Sequence, residues 1–447
     1  MPGSAPRELS RWPTFDNELV PAAATSLNLN VRGIGSSATL AINEESNCLR
    51  AEGRIVYRLG LGQSPFPVPE TVVESLRANA HQKSYLAVRG LPALREAVAD
   101  YHRRRRQHFE CTADDVLIGP GSKELMFLLQ LCYYGDLVIP TPSWVSYAPQ
   151  AHILGRHVRW LRTDAANHWR LTASELDALC RDDPDRPRLV ILNYPSNPSG
   201  ITYLPDQLEE LARVAERYGV VLCSDEIYGE LHHRGRHVSI ARYYPTGTII
   251  SSGLSKWCGA GGWRLGTMTF PPGQRRLLDA MASVASETFT STSSPIQYAA
   301  VTAFLPHPSI ERYLVQARRI LAALGLECAR RLREAGVRVH DPEGGFYLFP
   351  DFEPHREALR ARGVETSSGL CQQLLHEAGV AVLPGSAFGR PQDELGARLA
   401  YVDFDGASAL VAAESVPLDR PLPVQFLEDH CGPVLRAIRL LKEWLSP

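Results

Sequence analysis

Residues 252–266 read Ser252-Gly-Leu-Ser-Lys256-Trp-Cys-Gly-Ala-Gly-Gly-Trp-Arg264-Leu-Gly266, directly after an apolar run at 248–251. An apolar run of that length followed by a glycine-rich loop reads as a buried strand opening at its carboxyl end. In parallel sheets that edge is where ligands gather. Lys256 offers an amine that can deprotonate and attack a carbonyl. Arg264 stays charged and grips phosphate or carboxylate as a planar fork. Only four of the 47 basic residues are lysine (Lys83, Lys123, Lys256 and Lys442). Under such a drift toward arginine, a lysine persists where a guanidinium cannot do the chemistry. Taken by itself, the segment also fits two surface cations on a flexible loop.

Working outward, the chain alternates strand and helix patterns. Residues 116–118 read as a short buried strand, broken by Gly119-Pro120-Gly121 before a helix from Ser122. Further strands are expected at 137–139, 158–161, 189–192 and 220–223. Thr172 with Glu175 three residues on is a capping-box start. Pro205 opens an amphipathic helix carrying Leu208, Leu211, Ala212 and Ala215 and closed by Gly219. Such a series predicts an α/β fold with a mostly parallel sheet covered by helices on both faces. Past about Ser309 the pattern changes to a long arginine-rich helix reaching Glu334. Strands expected at 337–340 and 346–349 then imply a second, smaller α/β domain. Residues 1–30 lack a period and read as an arm. The run Arg103 to Arg106, between His102 and His108, reads as the solvated end of the helix holding Leu94, Ala97 and Tyr101.

At 447 residues, with 44% hydrophobic and 21% charged residues, the chain is globular in composition and long enough for more than one domain. A net charge of −2 argues against nucleic acid or an anionic membrane as partner. No apolar stretch reaches a membrane-spanning length, and the first residues do not read as a signal peptide. Nine dispersed cysteines without a C-x-x-C pair exclude a zinc ribbon and argue against a disulfide framework. The expectation is a soluble, cytoplasmic protein with no metal.

Three further segments sit at strand ends. Asn193-Tyr-Pro-Ser-Asn197-Pro-Ser-Gly200 taken singly is a proline-glycine turn. Asp225, in Ser224-Asp-Glu-Ile-Tyr228, reads equally as a solvated acid or a helix cap. Gly121-Ser122-Lys123 joins a strand to a helix, so free N–H groups and the helix dipole make an anion site.

Together these pieces resemble the fold-type-I pyridoxal-phosphate enzymes, specifically the class I and II aminotransferases of the aspartate aminotransferase group. The likeness runs from about Ser36 to the C-terminal region. It is carried by Leu59-Gly-Leu-Gly62, Tyr85 with Gly90 and Leu94-Arg95, Gly121-Ser122-Lys123, Asn197-Pro-Ser-Gly200, Asp225 with Tyr228, Lys256 with Arg264, and Arg398.

The resemblance implies a role for each. Lys256 would bond to pyridoxal 5'-phosphate and then move the proton in transamination. Asp225 would hold the pyridine nitrogen protonated, and Tyr228 and Asn197 would donate to the ring's phenolic oxygen. Trp144 would stack on the ring. Gly121, Ser122, Lys123, Ser255, Arg264 and Tyr85 would serve the phosphate, Tyr85 from a neighbouring subunit. The family's usual hydroxyl three residues before the lysine is Gly253 here, leaving Ser252 and Ser255 as substitute donors. Arg398 would clamp the substrate's α-carboxylate, and Gly62 would let the backbone close over it.

Implied too are a homodimer with shared active sites, a large cofactor-binding domain at 65–314, and a small domain from 31–64 and 315–447. The partners are an L-amino acid and a 2-oxo acid in a ping-pong exchange. One group of these enzymes reads an acidic substrate with a partner-subunit arginine, yet 283–298 contains none. A second group uses a lysine matching Lys123, so an acidic amino acid is the expected partner. Elimination, carbon–sulfur lysis, cyclopropane-forming synthesis and amino-acid oxidation are alternatives on the same fold. A non-catalytic module joined to a DNA-binding domain is the reading from another class. The irregular first 30 residues argue against it.

Overall fold

The computed structural model describes residues 26–32, 35, 38–105 and 110–446. Residues 1–25 of the expected arm lie outside them, as do Arg106 and His108. Seven strands build the main sheet: β1 Val116–Gly119, β2 Asp136–Thr141, β3 Val158–Arg162, β4 Arg188–Asn193, β5 Val221–Asp225, β6 Thr248–Gly253 and β7 Gly266–Thr269. Their order is β1-β7-β6-β5-β4-β2-β3. Only β7 runs against the rest, pairing antiparallel with both β1 and β6. No expectation covered β7, because Gly266-Thr-Met-Thr269 is short and carries a single large apolar residue.

Side chains alternate across this sheet with the period of two that a pleat imposes. Leu137, Ile139, Leu189 and Ile191 pack with the helices Ser122–Cys132 and Arg275–Thr288 on one face. Val138, Val190, Leu192 and Leu222 pack with Ala173–Arg181 and Pro205–Arg217 on the other. The capping box at Thr172 forms as read, with the Glu175 backbone N–H donating to Thr172 Oγ1.

Register matters more than layering for the site. Asn193 pairs with Asp225, and Asp225 with Ser251, so β4, β5 and β6 end level. The loops leaving β1, β2, β4, β5 and β6, together with the approach to β7, therefore open on one edge.

Two small sheets stand apart. Tyr57–Arg58 pairs parallel with Val380–Ala381, and Ala397–Ala400 lies between Leu383–Pro384 and Tyr347–Leu348. The strand expected at 337–340 does not form. Arg338 makes only an isolated bridge to Asp351. Gly336 ends the preceding helix in a left-handed turn, and Pro350 in the facing chain has no N–H to extend a ladder. The described arginines of the run, Arg103 to Arg105, are exposed as expected, though they also find partners. Arg104 donates to the Phe304 carbonyl, and Arg105 pairs with Glu230 and Glu311.

All nine cysteines are free. Among the described residues no helix is long and apolar enough to cross a membrane, and no cluster of ligating side chains could hold a metal.

Candidate active site

Ten of the sequence-predicted residues line one cavity of about 600 Å³ at that edge: Gly62, Ser122, Lys123, Trp144, Asn197, Asp225, Tyr228, Ser255, Lys256 and Arg264. Lys256 follows β6, and its Nζ donates to the Gly62 carbonyl at 2.6 Å. Its pKa is lowered to about 8, chiefly by removal from water and next by the positive charge of Arg398. The other lysines sort by place. All three are exposed, but only Lys123 lines the cavity.

Asp225 ends β5 and is buried. Burial raises its pKa to about 6, against hydrogen bonds from Tyr147 and the Ile227 backbone and the charge of Lys256. At neutral pH it is still mostly ionised, and Tyr147 donates to its Oδ2 at 2.5 Å. Asn193 braces the same corner. It donates to the Asp225 carbonyl at 2.9 Å and accepts from the Asn197 N–H at 2.7 Å. Beneath it the buried Glu226 is bonded by Ser224, Ser239 and His237.

Trp144 follows β2 on a loop tied down by Ser143 N–H donating to the Phe388 carbonyl at 3.0 Å. Its ring meets Tyr147 edge-on, and Lys123 Nζ stands 5.2 Å from its centroid. Lys123 has its pKa lowered by burial first and by Arg264 second.

At the remaining corner, helix Ser122–Cys132 begins at Gly121, whose φ is 95°. A Cβ there would stand 2.1 Å from an Arg264 guanidinium nitrogen, so glycine is what lets the guanidinium lie against the turn. Arg264 donates to the Gly261 and Pro120 carbonyls and has no carboxylate partner among the described residues. Gly253 packs against the Leu265 carbonyl, 2.7 Å from where a Cβ would stand, which accounts for the missing hydroxyl. Of the substitutes, Ser255 lines the cavity and Ser252 is buried within β6.

Arg398 lies just behind Asn197, donating to its Oδ1 at 3.1 Å and to the Gly60 carbonyl at 2.5 Å. It is buried, and its Nε has no hydrogen-bond partner. A buried guanidinium without a counter-ion is costly unless an anion completes it.

Tyr85 stays out of this assembly and is 90% exposed. Sequence reasoning missed Tyr147 and Tyr347. Tyr147 had a signal, since it sits one turn after Trp144 and bonds its carbonyl. Tyr347, whose hydroxyl lies 2.8 Å from that of Tyr228, had none beyond its strand.

Three cations and one carboxylate line the cavity, with Arg398 behind Asn197. Such a surplus fits an anion-bearing ligand: a phosphate brings about −1.5 to −2 charges. Arg264 and the helix N-terminus at Ser122 offset most of that, the latter by about +0.5.

Comparison with known proteins agrees with this geometry. The chain matches the family model "Aminotransferase class I and II" over residues 54–399. It is 34% identical over 381 residues to an aspartate aminotransferase of Geobacillus stearothermophilus, covering 83% of this chain and 93% of that one. An asparagine–oxo-acid transaminase of Streptococcus mutans is 29% identical over 392 residues, covering 84% and 95%. The solved aspartate aminotransferase of Thermus thermophilus with maleate superposes with a TM-score of 0.79 at 27% identity, over 93% of this chain and all of that one. The chain belongs to the class I and II aminotransferases, pyridoxal-phosphate-dependent enzymes of fold type I.

Proposed function

We propose that this aminotransferase exchanges an amino group between an L-amino acid and a 2-oxo acid in two half-reactions, with glutamate or aspartate as one partner. The observation that carries the acidic preference is Lys123, whose amine stands on the wall of the Lys256 cavity. It lies over Trp144 and has no carboxylate partner among the described residues. Two relatives named for aspartate, one solved with maleate, support the same reading.

Pyridoxal phosphate, when bound, supplies a carbonyl that bonds to amines and a ring that takes up the electron pair left on the substrate's Cα. This chain's residues do the rest. Arg264, Ser122 and Ser255 would hold the phosphate, and Asp225, kept in place by Tyr147, would accept from the ring nitrogen. Tyr228 and Asn197 would donate to the ring's phenolic oxygen, and Trp144 would stack against the ring. Arg398 orients the α-carboxylate through its unpaired Nε edge. Lys256, with its lowered pKa, is neutral often enough near pH 7 to take a proton from Cα and return one.

Truncating Lys123 to alanine should lower kcat/KM for acidic donors by about 2–4 kcal/mol more than for neutral ones, roughly 30- to 1,000-fold. Steady-state kinetics with glutamate, aspartate and alanine as donors measure it. Equal losses, with weaker cofactor retention, would assign Lys123 to the phosphate alone.

We propose further that 31–64 and 315–447 form a small domain closing over the site. Both small sheets draw their strands from these segments only, and the helix Pro308–Glu334 carries the chain between the two parts. The protein we take to be a homodimer in which the exposed Tyr85 reaches the neighbouring site. Co-expressing Tyr85→Phe with Lys256→Ala leaves a hybrid with one site free of both changes. That hybrid should outperform both single-mutant homodimers. Activity no greater than theirs would place Tyr85 outside the site.

A further inference from the structure

The phenol of Tyr347 touches three parts of the site at once. It projects from the strand Tyr347–Leu348, which pairs with Ala397–Ala400, the strand carrying Arg398. The side chain is 1% exposed. Its hydroxyl is 2.8 Å from the Tyr228 hydroxyl, and the two rings meet edge-to-face with centroids 5.5 Å apart. The Arg398 guanidinium lies over the Tyr347 ring, 4.7 Å from its centroid. The space for the hydroxyl exists because residue 62 is glycine. A Cβ there would stand 2.1 Å from the Tyr347 oxygen.

We infer that Tyr347 is a positioning residue that aims the Tyr228 proton into the cavity through its hydroxyl and seats Arg398 through its ring. This rests on the roles proposed above for Tyr228 and Arg398.

Two hydroxyls in contact share a single bond. If Tyr228 donates to Tyr347, its proton points away from the cavity. If Tyr347 donates, the Tyr228 proton is left to bond a ligand oxygen, and the donation polarises it further. The better donor is the more acidic phenol. Burial raises both hydroxyls, but Tyr347 has Arg398 over its ring as the next largest influence, pulling it back down. Tyr228 has its neighbour Tyr347 as the next, pushing it higher. Geometry points the same way: Arg398 stands 4.7 Å from the Tyr347 centroid, nearer than Lys256 at 5.7 Å from that of Tyr228, so Tyr347 is the favoured donor and the cation that seats the substrate carboxylate strengthens the donation. The two ring faces divide the labour: the edge bearing oxygen serves Tyr228, and the π-face serves Arg398.

The test uses holoenzyme and separates the two functions. Tyr347→Phe keeps the ring and deletes the hydroxyl. The pH midpoint of the visible absorbance band of the cofactor-loaded protein should rise by about 0.5–1 unit, because the donor that favours the ionised ring oxygen is weakened. Its KM for glutamate should stay within about twofold while kcat falls. Tyr347→Leu deletes ring and hydroxyl, and should show the same midpoint shift with a KM raised about tenfold or more. Gly62→Ala, by displacing the hydroxyl, should move the midpoint in the parent but much less in the Tyr347→Phe background. An unmoved midpoint in Tyr347→Phe overturns the inference, as does an equal rise in KM for both Tyr347 variants. Failure of the underlying reading is distinguishable: the parent protein would then show no visible band on adding pyridoxal phosphate.

Discussion

Lys256→Arg is expected to lose on the order of 10⁵-fold or more in kcat while keeping its fold and its positive charge. Arginine preserves the cation but cannot deprotonate, so it can neither bond a carbonyl nor shuttle a proton. The magnitude follows from removing the group that does both, as with other nucleophile deletions. Borohydride reduction of the loaded parent, followed by peptide mapping, should find the pyridoxyl group on Lys256. A label on Lys123 would overturn the assignment. The lowered pKa adds a pH signature. With a pKa of about 8, roughly a tenth of the amine is neutral at pH 7. Capture of pyridoxal phosphate by the cofactor-free protein should therefore quicken with rising pH and level off above about pH 8–9. An ordinary lysine would keep gaining about tenfold per unit to beyond pH 10.

Asp225→Asn should cost roughly 10³- to 10⁴-fold in kcat with little change in size or packing, comparable to other charge-deleting Asp→Asn changes beside a reacting ring. The carboxylate has two accepting oxygens. One receives the Tyr147 hydroxyl at 2.5 Å, and the other stands free for a ring N–H apart from a long contact to the Ile227 backbone. Asparagine can satisfy Tyr147 with its carbonyl oxygen only by presenting its NH₂ to the ring nitrogen. That group donates where an acceptor is needed, and it carries no charge to keep the nitrogen protonated. The visible band and the bound cofactor should survive, so single-turnover kinetics with glutamate isolate the chemical step. A loss below about tenfold would show that the ring nitrogen does not depend on Asp225.

Much of this was legible without coordinates because parallel α/β folding is a local affair. Six of the seven strands of the main sheet announced themselves as short apolar runs. Each functional side chain lay within a few residues of a strand's end: Lys256 after β6, Asp225 at the end of β5, Asn197 after β4 and Ser122 after β1. Where periodicity was weak, the reading failed. β7 is too short and polar to stand out, and the strand expected at 337–340 lacked a facing chain able to complete its ladder. Tyr85 shows the converse, a residue whose motif is clear and whose own chain leaves it exposed.

The amino-acid order by itself thus determined the fold class, the family and most of the cavity wall, since apolar alternation and strand-end glycines are properties of neighbours in the chain. Tertiary structure alone decided how the wall is charged and braced. Tyr147 reaches Asp225 across 78 positions, Arg398 reaches Asn197 across 201, and Tyr347 reaches Tyr228 across 119. Such contacts depend on strand order and register, and their energies depend on the removal of water, which lowers Lys256 and raises Asp225 toward neutrality. Neither pairing over that distance nor exclusion of solvent leaves a pattern among adjacent residues.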